Sequence, residues 1–179
     1  MKRPLVLSLV LLALSAGVAC AGHIGIGAYA GMSYPVLQED VASGTLYGLR
    51  APVALTPLFT FEPYYASASL GDKDETVAGI TYTRAGFDET AYGLNAMMTT
   101  GGPVQFYPLV GVGKTQLTRE GSSDLNLTTW NLGLGLGFVP MPKLSIHIRG
   151  EMQMAMDGDA SRKFTNLTVG ASYALFNMP

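Results

Sequence analysis

The stretch that most constrains the fold runs from Trp130 to Met154, WNLGLGLGFVPMPKLSIHIRGEMQM. Its first half alternates. Trp130, Leu132, Leu134, Leu136 and Phe138 fall on one side, and Asn131, Gly133, Gly135 and Gly137 on the other. After Pro140-Met141-Pro142-Lys143 the alternation resumes. Leu144, Ile146, Ile148, Met152 and Met154 share one side with Gly150; Ser145, His147, Arg149, Glu151 and Gln153 share the other. A period of two specifies strands, so this is a β-hairpin with one apolar face and one polar or very small face. Two strands alone are not stable. The apolar face must meet either a protein core or lipid.

The same period recurs along the chain. Segments 22–33, 45–53, 59–70, 90–98, 104–115 and 164–176 also alternate, which makes the opening hairpin strands six and seven of eight. Pro63 lies inside the third strand and predicts a bulge, because a closed sheet has no free edge to tolerate its missing N–H. Four connections are long and polar: 33–44, 71–87, 116–128 and 155–163. Within the second of these, residues 77–82 are open to a second reading, as extensions of the flanking strands. Three connections are short: 54–58, 99–103 and 139–143. Long and short connections alternate, and an up-and-down barrel sorts them to opposite ends.

The N-terminus bears on where such a barrel resides. Lys2 and Arg3 precede an apolar run that ends in small residues near Cys20 and Ala21, the pattern of a cleaved secretory signal over residues 1–21. One domain, 22–179, is then expected. Cys20 is the only cysteine, so the exported domain has no internal disulfide. Gly17-Val18-Ala19-Cys20 is a weak lipobox, which leaves Cys20 either removed or lipidated. Loss of Lys2 and Arg3 from the 11 basic residues leaves 9 against 13 acidic ones, a net charge of −4. With no basic patch between aromatics, nucleic acid is not an expected partner. No later apolar run is long enough for a transmembrane helix, so a membrane would have to be crossed by strands.

The composition of the two faces separates core from lipid. A soluble barrel puts its large apolar side chains inside. Here the face opposite the apolar one is rich in Gly, Ala, Asn and Thr, which suits the narrow interior of eight strands. The large residues then point outward, and closure satisfies every backbone N–H and C=O in lipid. Tyr47, Tyr65, Tyr92, Phe106, Trp130, Phe138 and Tyr173 lie near strand ends or on outward faces, where interfacial rings are expected.

Taken together, the signal, the eight alternating segments, the loop asymmetry and the terminal strand LTVGASYALF resemble the small outer-membrane β-barrel family that includes the OmpA transmembrane domain. The resemblance covers Gly22 to Phe176. It implies an all-β, eight-stranded antiparallel up-and-down transmembrane β-barrel in the bacterial outer membrane. It further implies contact with outer-membrane lipid and lipopolysaccharide, insertion by the outer-membrane assembly machinery, and a monomer. No counterpart of the cell-wall-binding domain of full-length OmpA is expected. One position departs from the pattern. Such barrels end on an outward aromatic, whereas Leu167, Val169, Ala171, Tyr173 and Leu175 face outward and leave Phe176 out of phase unless a bulge restores it.

Among the inward positions Arg50, Glu62, His147, Arg149 and Glu151 stand out as a candidate lumen charge network. Arg50 and Glu62 flank a short turn and are placed to pair; Arg149 and Glu151 point inward together. Family barrels resemble this in having a charged interior that plugs or gates the lumen, and confined charges persist as satisfied networks. No catalytic set is evident. The lipid A deacylase family places a serine two residues after its histidine, but His147 is followed by Ile148 and Arg149. Two histidines and one cysteine make no metal cluster, and Asp72, Asp74 and Glu75 lack the oxygen pattern of a calcium loop. Gly133, Gly135 and Gly137 lie within a strand and so form no phosphate loop. No cofactor is expected, and the chain is read as a non-enzyme. The leading expectation is a structural outer-membrane protein that supports envelope integrity and carries long polar surface loops. The alternatives are a narrow gated pore for small solutes or ions, and a surface adhesin.

Overall fold

The computed structural model describes residues 22–36, 41–119, 121–157 and 160–177. The signal segment with Cys20, the Glu39-Asp40 pair and the tail residues Met178 and Pro179 lie outside these. No helix occurs among the described residues.

Eleven strands form in chain order: β1 (His23–Val36), β2 (Gly44–Arg50), β3 (Val53–Ala54), β4 (Phe59–Leu70), β5 (Lys73–Val77), β6 (Ile80–Arg84), β7 (Phe87–Met98), β8 (Val104–Thr118), β9 (Leu125–Met141), β10 (Leu144–Asp157) and β11 (Ala160–Asn177). Nine of them make one antiparallel sheet, which closes where β11 pairs with β1. β2 and β3 form one wall strand, since both pair with β1 and with β4 in unbroken register. The result is an eight-stranded up-and-down barrel, with every strand next to its sequence neighbours.

Each face is where the alternation puts it. Trp130, Leu132, Leu134, Leu136 and Phe138 are each at least 50% exposed, a stripe that suits contact with lipid. The seven aromatics at the expected interfaces all point outward as well. Asn131, Arg149 and Gln153 are buried on the opposite face. The barrel therefore inverts a soluble core along most of its height, with large apolar groups outside and polar groups in the middle of the lumen.

Four local features differ from the sequence expectation or complete it. No bulge forms at Pro63. The β4–β7 ladder runs straight through Pro63↔Leu94, and on the other side Ala51 N still donates to Pro63 O at 2.9 Å. Pro63 simply omits one ladder bond, beside the gap that Pro52 leaves between β2 and β3. Of the segment 71–87, Phe87 already opens the wall strand β7, and residues 71–86 are neither an irregular loop nor part of the barrel wall. They hold the separate hairpin β5–β6, closed by Ala78 and Gly79 at φ 53° and 82°, the positive pair of a type I′ turn. The expected loop 155–163 is mostly strand, because β10 and β11 pair as far as Asp157↔Ala160. Lastly, a bulge does restore the terminal register. Ile24 pairs with Phe176 but Gly25 pairs with Ala174, so Leu175 is the extra residue and Phe176 turns outward, 67% exposed.

Candidate functional site

The short connections and both described chain ends lie at one end of the barrel, the turn end; β5–β6 and the longer connections lie at the other, the loop end. Between them the lumen is filled in tiers.

At the turn end is an open vestibule of about 520 Å³. Gln105, Tyr107, Ser145 and His147 line its walls, and it reaches inward as far as Glu62 and Met97. Tyr107 OH and His147 Nδ1 lie 3.3 Å apart, with the two rings edge to face.

Above the vestibule sits the charge cluster. Glu62 on β4 is reached across the lumen by Arg149 on β10. The guanidinium grips both carboxylate oxygens, Nη1 to Oε1 at 2.7 Å and Nη2 to Oε2 at 3.0 Å. This is the bidentate fork that makes arginine a strong carboxylate partner. Arg149 Nη1 is also 3.7 Å from Glu151 Oε2, and Arg50 Nη1 is 3.9 Å from Glu62 Oε2. Arg50 is held less tightly. Its guanidinium stacks over Tyr29 at 5.3 Å, and its Nε and Nη2 have no hydrogen-bond partner. Two guanidiniums thus face two carboxylates inside the barrel wall. The structure brings Arg50, Glu62, Arg149 and Glu151 together. His147 stands at the vestibule side and engages Tyr107 instead.

A chain of further polar groups continues toward the loop end. Asn95 Nδ2 donates to Glu62 Oε1 at 3.3 Å, and Asn131 Nδ2 donates to Asn95 Oδ1 at 3.2 Å and to Tyr64 OH at 2.8 Å. Gln153 then joins three strands. It donates to Glu89 and to Thr115 Oγ1, and accepts from Asn166 Nδ2 at 2.9 Å. Thr115 and Thr129 hydroxyls meet at 2.6 Å. Such connected networks make confined polar groups tolerable.

The last tier is apolar. Phe87 and Phe164 meet edge to face at 6.0 Å and are almost wholly buried with Leu46, Leu70, Leu117 and Leu127. Arg119 and Arg162 cover Phe87 from the mouth, at 5.6 and 5.3 Å from its ring centroid.

Small wall residues admit these large ones. A Cβ on Gly135 would overlap the Tyr107 ring, and one on Gly170 would meet Arg50 Nη2. Gly135 in the opening hairpin and Gly170 on β11 are therefore space for side chains from neighbouring strands.

Several lumen residues escape a reading based on charge. Asn95, Asn131, Gln153 and Tyr107 sit on inward faces, but nothing in their type distinguishes them from ordinary wall residues. Glu89 and Phe87 escape for another reason: β7 starts at Phe87, earlier than the apolar alternation from Thr90 signals. Continuing the inward parity backward from Ala91 would have reached both.

Geometry defines the class: an eight-stranded transmembrane β-barrel with an apolar exterior and buried side chains in its lumen. No family model and no curated protein matches the chain. Solved structures do. Neisserial surface protein A is similar at a TM-score of 0.61 and 13% identity, covering 85% of this chain and 96% of that one. A major outer membrane protein from Thermus thermophilus gives 0.59 and 14%, covering 86% and 99%. The N-terminal β-barrel domain of Pseudomonas aeruginosa OprF gives 0.54 and 16%, covering 85% and 99%. At these identities the likeness is one of fold.

Proposed function

We propose that this chain is a structural protein of the bacterial outer membrane, a closed barrel that supports the envelope and does not conduct. The observation that carries this reading is the occlusion of the lumen. The Arg149–Glu62 pair bridges opposite walls, and the Phe87–Phe164 tier closes the loop end. The lipid-facing exterior supports residence in a membrane, and the outer-membrane neighbours support which membrane. On this reading the turn end and its vestibule face the periplasm, and the loop end faces outward. The outward Phe176 gives the assembly machinery the terminal aromatic that such barrels present.

A second reading draws on β5–β6. This hairpin pairs with no barrel strand, all five residues of β6 are exposed, and Ile80 and Tyr82 are each more than half exposed. A projecting hairpin of this kind suits surface contact, and deleting residues 73–84 would remove that contact while sparing the barrel.

The test of the main reading is fractionation with a gel assay. The mature chain should partition with outer membranes and migrate faster unheated than boiled. Recovery as a soluble periplasmic monomer would defeat it.

A further inference from the structure

The turn-end vestibule carries more polar groups than closing the lumen uses. Gln105, Ser145 and His147 line it from inward positions, and each is only half-buried. They converge. A Cβ on Gly137 would lie 3.3 Å from His147 Nδ1 and 3.4 Å from Gln105 Oε1, so both atoms border one wall position. Ser145 lies two residues from His147 on the same face and pairs with Ser172 in the β10–β11 ladder. Ser172 lines the vestibule as well, and its Oγ is buried without a hydrogen-bond partner. Tyr107 OH stands against His147 Nδ1, which leaves the other ring nitrogen, Nε2, for a further partner.

Charge does not select the ligand here. Among the described lining residues, only Glu62 and Lys143 carry a permanent charge. Arg149 holds both Glu62 oxygens, at 2.7 and 3.0 Å, and Asn95 adds a third bond. An entering cation therefore meets a carboxylate that is already taken. Lys143 is exposed in the turn between β9 and β10, where water and salt screen a single charge, so an anion gains little. What remains is a carboxamide, hydroxyls and an imidazole, groups that together both donate and accept. Pro52, Pro57, Met97 and Val139 supply apolar wall around them. The volume of about 520 Å³ falls within the range of about 300–1,000 Å³ usual for small-molecule sites.

We propose that the turn-end vestibule binds a neutral saccharide, one or two sugar rings in size. Sugar hydroxyls donate and accept as Gln105, Ser145 and His147 do, and the C–H faces of the ring match the proline and methionine wall. The Arg149–Glu62 pair floors the site, so the sugar enters and leaves through the same opening. That this opening faces the periplasm rests on the outer-membrane reading; the saccharide chemistry does not.

The experiment uses the full mature chain, refolded in a zwitterionic detergent that has no sugar headgroup. It is titrated calorimetrically with glucose, N-acetylglucosamine, maltose and maltohexaose, and with inorganic phosphate and putrescine as charged comparators. Saturable binding is expected for at least one sugar and for neither comparator. Maltohexaose binding as tightly as maltose would mark the end of a longer glycan as the source; weaker binding would mark a free sugar. Added sodium chloride should leave the sugar affinity unchanged, since no contact depends on charge. Gln105→Ala with Ser145→Ala should weaken binding roughly tenfold or more, the effect of losing two neutral hydrogen bonds. Tyr82→Ala on the hairpin at the opposite end should leave it unchanged. Each variant is checked for unboiled fast migration, so that loss of binding is not loss of fold. No saturable binding by any sugar, equal binding in the double alanine variant, or saturable binding of phosphate or putrescine would overturn the proposal. Each of these leaves the membrane-barrel reading standing, because the titration needs no membrane.

Discussion

The turn-end and loop-end halves of the lumen are closed by opposite means. Toward the turn end, two guanidiniums and two carboxylates meet below a chain of amides, and an open vestibule of about 520 Å³ leads up to them. Toward the loop end, Phe87, Phe164 and leucines pack as an ordinary apolar core. The ionic seal is directional: it depends on a few named atoms, and removing one partner strands the other in a low-dielectric site. The apolar seal is distributed, and each residue adds a share set by its volume. The lesson is that one barrel wall serves both kinds of closure, because inward parity alone decides what enters the lumen.

Substitutions can break this contrast. The largest effect is expected from Glu62→Ala, which leaves Arg149 and Arg50 buried without a carboxylate between them. Urea unfolding in lipid vesicles should show a loss of about 3–5 kcal/mol. Phe164→Ala comes next, at about 3 kcal/mol, because a residue with no exposed surface leaves a cavity its neighbours only partly refill. The temperature at which the folded gel form disappears should fall accordingly. Thr115→Val strands Thr129 and removes one partner of Gln153, a loss of about 1 kcal/mol in the same denaturant series. The smallest change is expected from Arg50→Met. Glu62 keeps both bonds to Arg149, and an awkwardly held buried charge becomes apolar, so stability should stay within about 1 kcal/mol of the parent. A large loss with Arg50→Met would mean that Arg50, and not Arg149, anchors the cluster.

Much of this contrast is legible in the residues themselves, and some is not. Strict alternation from Trp130 to Phe138 suffices to place a lipid-facing stripe, because a period of two has only two faces. The charged lumen positions follow from the same parity. What parity does not supply is the partner. Arg50 and Glu62 are near in sequence, yet the bidentate grip on Glu62 comes from Arg149, 87 residues away on the opposite wall. Only closure of the sheet through β11 and β1 brings them together. Nor does alternation mark where strands extend past the membrane. Polar strand ends such as Ser161–Lys163 read as loop, because outside lipid nothing requires an apolar face. The terminal bulge at Leu175 is hidden for a related reason: one extra residue reverses the faces of all that follow, and only pairing with Ile24 shows which residue is extra.

The central claim is a membrane-spanning barrel whose lumen is shut, and planar-bilayer recording of the purified chain tests it most directly. The account predicts stable insertion without unitary conductance. Steady single-channel currents in the parent protein, altered in size or selectivity by Arg149→Gln, would contradict it and establish a pore.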